Sequence, residues 1–422
     1  MHPLQELLRT RGGVYSCCST NEHVLRAVFR KAKERNTIAL VEATANQVNQ
    51  FGGYTGMTPG DLFEYVKRIA LHEGFPFARV ILGGDHLGPL TWANLPKEEA
   101  MLNARELIRA FVSAGFTKIH IDTSMQLKDD TSGQRLSDEV IAARGAELCQ
   151  VAEEAADSCS KILPPTVYII GSEVPIPGGA QKAEKTLAIT DPADFEHTLE
   201  TFKEAFAGRG LTGAWKRVVG IVVQPGVEFG DSEVFTYDSD AAKPLTAELR
   251  KHENLVFEGH STDFQSPAAL RRMVQDGIKI LKVGPALTFA LREGLFALEY
   301  MERELYPEGL RSHFRETLEQ AMIHLPVHWV NHYHGDESAL KLARMFSQSD
   351  RARYYLPLPE VQNAISILLA NLRRGDIPQM LISQYMPLQY AKLRDGQLGG
   401  DPEELLVDKV GNTIDDYLYA TL

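Results

Sequence analysis

The stretch Arg79-Val-Ile-Leu-Gly-Gly-Asp-His-Leu-Gly-Pro89 joins a short apolar run to two glycines, an acid and an imidazole. Its apolar residues 80–82 predict a buried strand, because the run is too short for a helix and glycines bound it. Asp85 and His86 come directly after that strand, where one side chain could take a proton and the other could bind a metal. The alternative is an Asp-His pair that only caps the following segment.

Strand and helix patterns alternate over the first 300 residues. Seven further apolar runs predict strands, at residues 13–19, 37–42, 118–122, 166–173, 218–224, 255–260 and 280–284. Each run is followed by a stretch with helical periodicity, such as Glu22 to Glu34. Eight such units predict a (β/α)8 TIM barrel, with a doubly wound open sheet as the alternative. The number of units favours the barrel, as do the polar residues that recur at strand ends.

The alternation stops after about residue 305, and the remaining patterns, such as Ala339 to Phe346 and Val361 to Asn371, are helical. We therefore predict a barrel over residues 1–304. A helical extension over residues 305–422 then packs on the barrel or on a neighbouring subunit.

The composition is that of an ordinary globular protein, with 44% hydrophobic residues in a chain of 422. A formal charge of −12 argues against nucleic acid or an acidic membrane surface as a partner. No run of about 18 apolar residues and no signal-peptide pattern is found, so we expect a cytoplasmic protein. The four cysteines show no Cys-x-x-Cys spacing, which argues against a zinc ribbon or a thioredoxin-like site.

Polar residues at the predicted strand ends should converge on one mouth of the barrel. They are Glu42, Asp85, His86, Asp122, Glu173, Gln224, His260 and Asp263. Two imidazoles and several carboxylates around one cavity can hold a divalent metal and leave one acid as a base. The alternative is a hydrogen-bonded rim on an inactive barrel.

Six segments resemble the GatZ/KbaZ family, among them Ile81-Leu-Gly-Gly-Asp-His-Leu-Gly-Pro89 and Gly171-Ser-Glu-Val-Pro-Ile-Pro-Gly-Gly179. The others are residues 41–57, 222–229, 260–263 and 280–292. That family includes second, non-catalytic subunits of class II D-tagatose-1,6-bisphosphate aldolase, and relatives that epimerise ketohexoses or hexuronates at C4. The resemblance covers almost the whole chain.

A more distant resemblance is to the catalytic class II aldolases, which are metal-dependent barrels. It implies that His86 and His260 bind the metal and that Asp85 acts on the substrate, with Glu173 in a matching segment. Gln224 stands where those enzymes have a metal-binding histidine, and is a weaker oxygen ligand. Ser261-Thr-Asp263 replaces their phosphate-binding loop and puts an acid where phosphate needs amides, which disfavours a bisphosphate substrate.

The resemblance and the residues together predict a metal-dependent epimerase that interconverts D-tagatose and D-fructose at C4 by retro-aldol cleavage and re-addition. Zinc, manganese or nickel is the expected metal, with ligands drawn from His86, Glu173, Gln224 and His260. Asp85, Asp263 and Glu173 are the predicted catalytic residues, and substrate contacts are predicted for Glu42, Asn46, Gln47, Tyr54, Asp122 and Gln224.

Several alternatives stay open at this stage. Within the same site, the protein could deprotonate C4 directly or act on a hexuronate. From a different class, it could be a non-catalytic partner of a class II aldolase chain, which the glutamine at position 224 favours. A homo-oligomer is also expected. Gly52-Gly53 and Gly83-Gly84 fit neither the Gly-x-x-x-x-Gly-Lys-Ser/Thr nor the Gly-x-Gly-x-x-Gly phosphate-binding motif, which argues against a kinase.

Three further stretches have two interpretations each. The polar loop around residues 46–55 could bind sugar hydroxyls and close as a lid, or could be structural. The segment His328-Trp-Val-Asn-His-Tyr-His334 has near metal-ligand spacing, but an aromatic contact of the extension is the favoured interpretation. The segment Ser349 to Tyr354 could bring an arginine to the barrel mouth or place it in a surface ion pair.

Overall fold

Eight parallel strands close into a barrel in the computed structural model, which describes residues 1–9, 12–130, 135–161, 163–172 and 187–422. The strands are β1 (Val14–Cys17), β2 (Ala39–Thr44), β3 (Val80–Leu87), β4 (Lys118–Ile121), β5 (Val167–Ile170), β6 (Val218–Val223), β7 (Val256–Gly259) and β8 (Ile278–Val283). Each strand pairs with the next, and β8 pairs with β1. The predicted (β/α)8 barrel is confirmed, and the open sheet is excluded.

Ten helices accompany the barrel among the described residues, and six form the extension. The first ten are α1 (Pro3–Leu8), α2 (Glu22–Glu34), α3 (Pro59–His72), α4 (Lys97–Ala114), α5 (Asp138–Asp157), α6 (Pro192–Gly208), α7 (Thr212–Trp215), α8 (Ser239–Leu249), α9 (Pro267–Gln275) and α10 (Pro285–Leu305). The extension contains α11 (Phe314–His324), α12 (Glu337–Phe346), α13 (Pro359–Arg373), α14 (Gln379–Tyr385), α15 (Pro387–Arg394) and α16 (Pro402–Thr421). A short antiparallel hairpin pairs Glu228–Phe229 with Val234–Phe235.

Local sequence explains where the helices start. The side chain of Asn21 caps α2 by accepting from the backbone N–H groups of residues 23 and 24. Thr58 and Asp61 form a capping box that starts α3, with Pro59 in its first turn. Both helices bury an apolar face against the barrel, as the periodicity of the sequence predicts.

The barrel interior changes from apolar to charged along its axis. Its amino-terminal end is filled by apolar side chains from seven of the strands together with Leu4 and Leu8 of α1. Two residues further along their strands, Glu42, Glu258 and Lys282 point to the same interior. Period-2 alternation thus places a charged layer between the apolar plug and the mouth of the barrel.

The extension packs on the barrel through its last helix. Helix α16 lies against α2, α9 and α10, and the Tyr417 hydroxyl donates to the carbonyl of Thr262 in the loop after β7 at 2.8 Å. The backbone N–H of Gly13 donates to the carbonyl of Thr421 at 3.0 Å. Across the described part of the chain, the helices are too short or too polar to cross a bilayer.

Truncation of the apolar plug should destabilise the barrel. Leu4 is 0% exposed, so Leu4→Ala leaves a cavity and is expected to lower the free energy of unfolding by about 2–5 kcal/mol. The shift of the urea unfolding midpoint measures this. Leu102→Ala on α4 is the matched control, because Leu102 is 52% exposed and its truncation should cost less than about 0.5 kcal/mol. Equal midpoints for the two variants would show that α1 does not support the fold.

Candidate metal centre and its cavity

Four side chains converge inside the carboxyl end of the barrel. They are Asp85, His86, His120 and His260, and one ligand atom from each lies within 4.8 Å of the others. All four side chains are buried. They come from β3, from β4 and from the loop after β7, so the closed barrel brings together residues that are far apart in sequence.

A bulge in β3 lets two adjacent residues face the same interior. Successive side chains of a regular strand point to opposite faces. Here Gly84 pairs with Ile119 and Leu87 pairs with Ile121, so residues 85 and 86 together oppose the single residue His120. His86 has φ of 50°, in the left-handed region that non-glycine residues rarely adopt. The predicted Asp-His pair therefore lies within the strand rather than after it.

The glycines around the pair are required by close packing. A Cβ on Gly83 would lie 2.7 Å from Cγ of Glu42, so any larger residue would displace that buried carboxylate. A Cβ on Gly88 would lie 1.7 Å from the carbonyl oxygen of Asp122. The Gly-Gly-Asp-His-Leu-Gly pattern is thus the sequence signature of a strand that bulges between crowded neighbours.

Hydrogen bonds orient the three imidazoles. Nδ1 of His86 lies 2.8 Å from Oδ2 of Asp122, and Nε2 of His260 lies 3.0 Å from Oε1 of Glu258. These contacts leave Nε2 of His86 and Nδ1 of His260 available for a ligand. A carboxylate that holds the second nitrogen of a metal-binding histidine is a recurring arrangement in metalloproteins.

His120 supplies the most direct indication that the cluster fits a cation. Its Nδ1 faces Oδ1 of Asp85 at 2.9 Å, while its Nε2 is buried without a hydrogen-bond partner. An unpaired buried nitrogen is costly unless something binds it. Three imidazoles and one carboxylate are a donor set that suits zinc, manganese or nickel.

Charge in the barrel interior also favours a divalent cation. Lys118 lies 2.8 Å from Glu42 and 2.6 Å from Glu258, and Lys282 lies 2.9 Å from Asp85 and 3.0 Å from Glu42. With Asp122, four carboxylates face two ammonium groups, which leaves two negative charges in a buried space. A divalent cation offsets that excess.

The same contacts set the pKa values of the ligands. Burial would raise the pKa of Asp85, but Lys282, His86 and His120 together lower it well below its usual range. Burial lowers the pKa of His260 to about 4, although Glu258 opposes this shift. Asp85 is therefore ionised and His260 neutral near pH 7, which are the states in which both can bind a metal.

The structure corrects parts of the predicted ligand set. His86 and His260 lie in the cluster as predicted, whereas Glu173 lies outside the described residues. The Oε1 of Gln224 accepts from the backbone N–H groups of Gly226 and Val227 at 2.9 and 3.0 Å, so this predicted ligand atom is already engaged. His120 was missed by the sequence analysis.

Two predicted substrate contacts have other roles in the structure. Glu42 is 0% exposed and lies in the charged layer below the cluster, where Ser16, Lys118 and Lys282 surround it. Asp122 lies behind His86 and also accepts from the hydroxyl of Ser124. A polar residue at a strand end can face the ligand or support a residue that does, and here both are supports.

An open cavity lies above the cluster. Asn46, Gln47 and Tyr54 line it, as the sequence predicted for substrate contacts. The Gln47 amide is already engaged, because its oxygen accepts from the Thr44 N–H and its nitrogen donates to the carbonyl of Cys18. Gln47 thus shapes the wall of the cavity, whereas the exposed Asn46 and the Tyr54 hydroxyl remain candidates for a ligand.

Asp263 is the one cavity-lining carboxylate, among the described residues, outside the metal cluster. Its Oδ1 accepts from the backbone N–H groups of Gly284 at 3.1 Å and Ala286 at 2.8 Å, at the amino terminus of α10. Burial raises the pKa of Asp263 to about 6, although these N–H groups and Arg353 oppose the shift. A carboxylate with a pKa near neutrality is suited to exchange protons.

The extension completes the cavity wall with Arg353 and Tyr354. The segment around residues 349–354 therefore reaches the barrel mouth of its own chain, one of its two interpretations. The ring of His328 stacks on Tyr354 at 4.8 Å, which matches the favoured aromatic interpretation of that segment. Within the described ranges, histidine, cysteine and carboxylate side chains converge with metal-ligand geometry at Asp85 and not around His328.

The closed barrel, with a buried histidine and carboxylate cluster at its carboxyl end, defines a (β/α)8 protein of the kind that carries its site on strand ends and loops. The D-tagatose-1,6-bisphosphate aldolase subunit GatZ/KbaZ-like family matches residues 5–422. The chain belongs to this family.

A solved structure of high similarity supports the same relationship, and two others are more distant. A Sinorhizobium meliloti 1021 protein called a "probable tagatose 6 phosphate kinase" is 42% identical, with a TM-score of 0.89 over 97% of this chain and 100% of that one. The Campylobacter jejuni fructose-bisphosphate aldolase is 13% identical, with a TM-score of 0.46 over 88% and 91%. The Escherichia coli K12 YdjI aldolase is 11% identical, with a TM-score of 0.43 over 85% and 94%. The last two are too distant to bear on function.

Loss of His120 should weaken metal binding. Because His120 lies in the cluster, with its Nδ1 2.9 Å from Oδ1 of Asp85, His120→Ala is expected to reduce the affinity for Zn²⁺ or Mn²⁺ by at least about 100-fold. Calorimetric titration of the metal-stripped protein measures this. His324→Ala, at an exposed position in α11, is the control and should bind as the parent does. Unchanged affinity in His120→Ala would remove this residue from the site.

Proposed function

We propose that the protein is a metal-dependent epimerase that inverts C4 of a ketohexose and interconverts D-tagatose and D-fructose. The observation that carries this proposal is the pairing of a metal-compatible cluster with a separate carboxylate, Asp263, in one cavity. Aldol cleavage and re-addition need both an electrophile at the C2 carbonyl and a proton acceptor at the C4 hydroxyl. The cavity offers a residue for each task.

The cluster and Asp263 have separate roles in this proposal. His86, His120, His260 and Asp85 would hold the cation, which polarises the C2 carbonyl and stabilises negative charge when bound. Asp263 accepts the C4 hydroxyl proton as the C3–C4 bond breaks, and a proton returns to C4 oxygen when the bond re-forms on the other face. Asp85 is a weaker base than Asp263, because Lys282 and the neighbouring histidines lower the pKa of Asp85 well below its usual range. A positioned base contributes about 10²–10⁴-fold to the rate.

A free sugar suits this cavity better than a phosphorylated one. The amino terminus of a helix is a common phosphate site. At α10 the carboxylate of Asp263 already accepts from the N–H groups of Gly284 and Ala286. A phosphate group would have to displace a fixed negative charge. The same feature argues against phosphoryl transfer of the kind named for the Sinorhizobium protein.

A second candidate function follows from the family to which the chain belongs. The family description names an aldolase subunit, so the protein could stabilise a separate class II D-tagatose-1,6-bisphosphate aldolase chain. The metal-compatible cluster and the near-neutral carboxylate favour the epimerase, because a purely supporting subunit needs neither. A hexuronate substrate, or direct deprotonation at C4, would use the same site.

Metal dependence separates the two functions. Purified protein incubated with D-fructose should form D-tagatose in the presence of Mn²⁺, Ni²⁺ or Zn²⁺, and chelation or His86→Ala should abolish the reaction because the ligand set is lost. Sugar chromatography and metal analysis provide the measurements. A protein without bound metal that converts neither free nor phosphorylated ketoses would be the partner subunit, and the aldolase chain should then be tested for stabilisation.

The pH dependence of kcat/KM should report the ionisation of the Asp263 carboxyl group. Since its pKa is raised to about 6 and the base must be ionised, kcat/KM should fall tenfold per pH unit below about pH 6. Asp263→Asn should lower kcat by about 10²–10⁴-fold at pH 7.5. A variant that keeps the parental rate and acid limb would assign the base to another residue.

A further inference from the structure

The proposed epimerisation requires proton exchange at two positions. During retro-aldol cleavage the C4 hydroxyl loses its proton on one side, and after the aldehyde rotates the C4 oxygen is protonated again on the other side. If the C1 to C3 fragment stays fixed, one rigid carboxylate cannot reach both oxygen positions. Asp263 is held by two backbone N–H groups, so its side chain is rigid. A second proton-carrying group is needed.

Few groups that line the described part of the cavity meet this need. Asp85 and Lys282 are paired with each other at 2.9 Å and belong to the buried charge layer. Among the remaining hydroxyl groups, two tyrosines stand out, Tyr54 from the loop after β2 and Tyr354 from the extension. Their rings contact each other at 4.8 Å with an interplanar angle of 66°.

Their surroundings distinguish the two tyrosines. The Tyr354 hydroxyl accepts from Nη2 of Arg353 at 3.1 Å, and the guanidinium of Arg353 lies 4.5 Å from the ring centroid. The guanidinium of Arg351 lies 5.8 Å from the centroid of the same ring, and the imidazole of His328 stacks on that ring at 4.8 Å. Burial would raise the pKa of Tyr354, but the two arginines lower it. Burial and the negative charge of an ionised Tyr354 raise the pKa of Tyr54 instead.

The turn that carries Tyr354 is anchored to the barrel. Asp350 precedes it with φ of 47°, and its carboxylate accepts from Nε of Arg292 at 2.7 Å and from the Thr288 hydroxyl at 2.6 Å. Both donors lie on α10, the helix whose amino terminus holds Asp263. Ser349 donates to Asp231 at 2.8 Å, close to the hairpin after β6. Tyr354 is thus fixed against the same helix as Asp263.

We propose that Tyr354 is the second proton-exchanging residue of the epimerase, acting at the C4 oxygen on the side that Asp263 does not reach. The inference rests on the proposed function. It makes the extension part of the active site, because the residue that completes the inversion comes from outside the barrel.

The protons and the electron pair of the C3–C4 bond balance in this reaction without a further reactant. Asp263 takes the C4 hydroxyl proton, the C3–C4 bond breaks, and its electron pair remains on the three-carbon enediolate while C4 becomes an aldehyde. After rotation of the aldehyde, the C3–C4 bond re-forms and Tyr354 donates its phenolic proton to the new C4 alkoxide. The proton then passes from Asp263 to the phenolate through water at the cavity mouth, so both residues return to their starting states. Arg353 stabilises the transient phenolate.

Tyr354→Phe tests the proposal, since it removes the hydroxyl and keeps the stacked ring. The variant should lower kcat for D-fructose by about 10²-fold or more and change KM less than about threefold. Ionisation of the Tyr354 phenol should give the parental pH profile an alkaline limb, which should disappear in the variant while the acid limb at about pH 6 remains. Tyr355→Phe is the matched control, because Tyr355 bonds the carbonyl of Leu325 and lies outside the cavity lining. It should keep the parental profile.

A second variant and a measurement of metal content distinguish a specific effect of Tyr354 from loss of the fold. Arg353→Gln removes the guanidinium that lowers the pKa of Tyr354, so the alkaline limb should move to higher pH. Metal content equal to that of the parent shows that each variant is folded.

The outcomes are distinct. Parental kcat in Tyr354→Phe, an unchanged alkaline limb, or a rise in KM alone would overturn the assignment of Tyr354 and leave the epimerase function intact. A parent protein that converts no ketose would overturn the proposed function and this inference together.

Discussion

Two lysine side chains buried among carboxylates hold the centre of this barrel. Lys118 joins Glu42 to Glu258, and Lys282 joins Glu42 to Asp85, so the charges link β2, β3, β4, β7 and β8 across the interior. Burying such groups carries a large desolvation cost, which only close and multiple pairing can offset. The layer thereby fixes Asp85 and, through Glu258, the ring of His260. The candidate metal site and the barrel core are one electrostatic unit.

Above this layer, the fold uses backbone distortion to aim side chains. The bulge in β3 and the left-handed φ of His86 bring two neighbouring residues to one face, and Ser261 after β7 is also left-handed, with φ of 52°. Such conformations cost roughly 1–3 kcal/mol each and persist where surrounding contacts enforce them. The hydrogen bond between His86 and Asp122 and the crowded glycines supply that enforcement.

Much of the fold could be predicted from the sequence, because apolar runs and helical periods report burial directly. The site could be predicted only in part. Glu42 and Asp122 have the right residue types at strand ends, but sequence does not show whether a carboxylate meets a ligand or a lysine. His120 had a readable signal, since Lys118-Ile-His-Ile-Asp122 alternates polar and apolar residues and so puts its three polar side chains on one face. Tyr354 had no such signal, because its place depends on how the extension folds back.

The carboxylate of Asp263 at the start of α10 has a consequence for selectivity inside a cell. Cells contain inorganic phosphate and many phosphate esters, which compete for any open amide pocket at a helix end. A protein whose own chain supplies the anion keeps that pocket filled at all times. Under the proposed function, such a catalyst would work on unphosphorylated sugars without phosphate esters blocking its entrance. The Asp263 side chain would then exclude phosphate compounds that can bind where such an amide pocket is open.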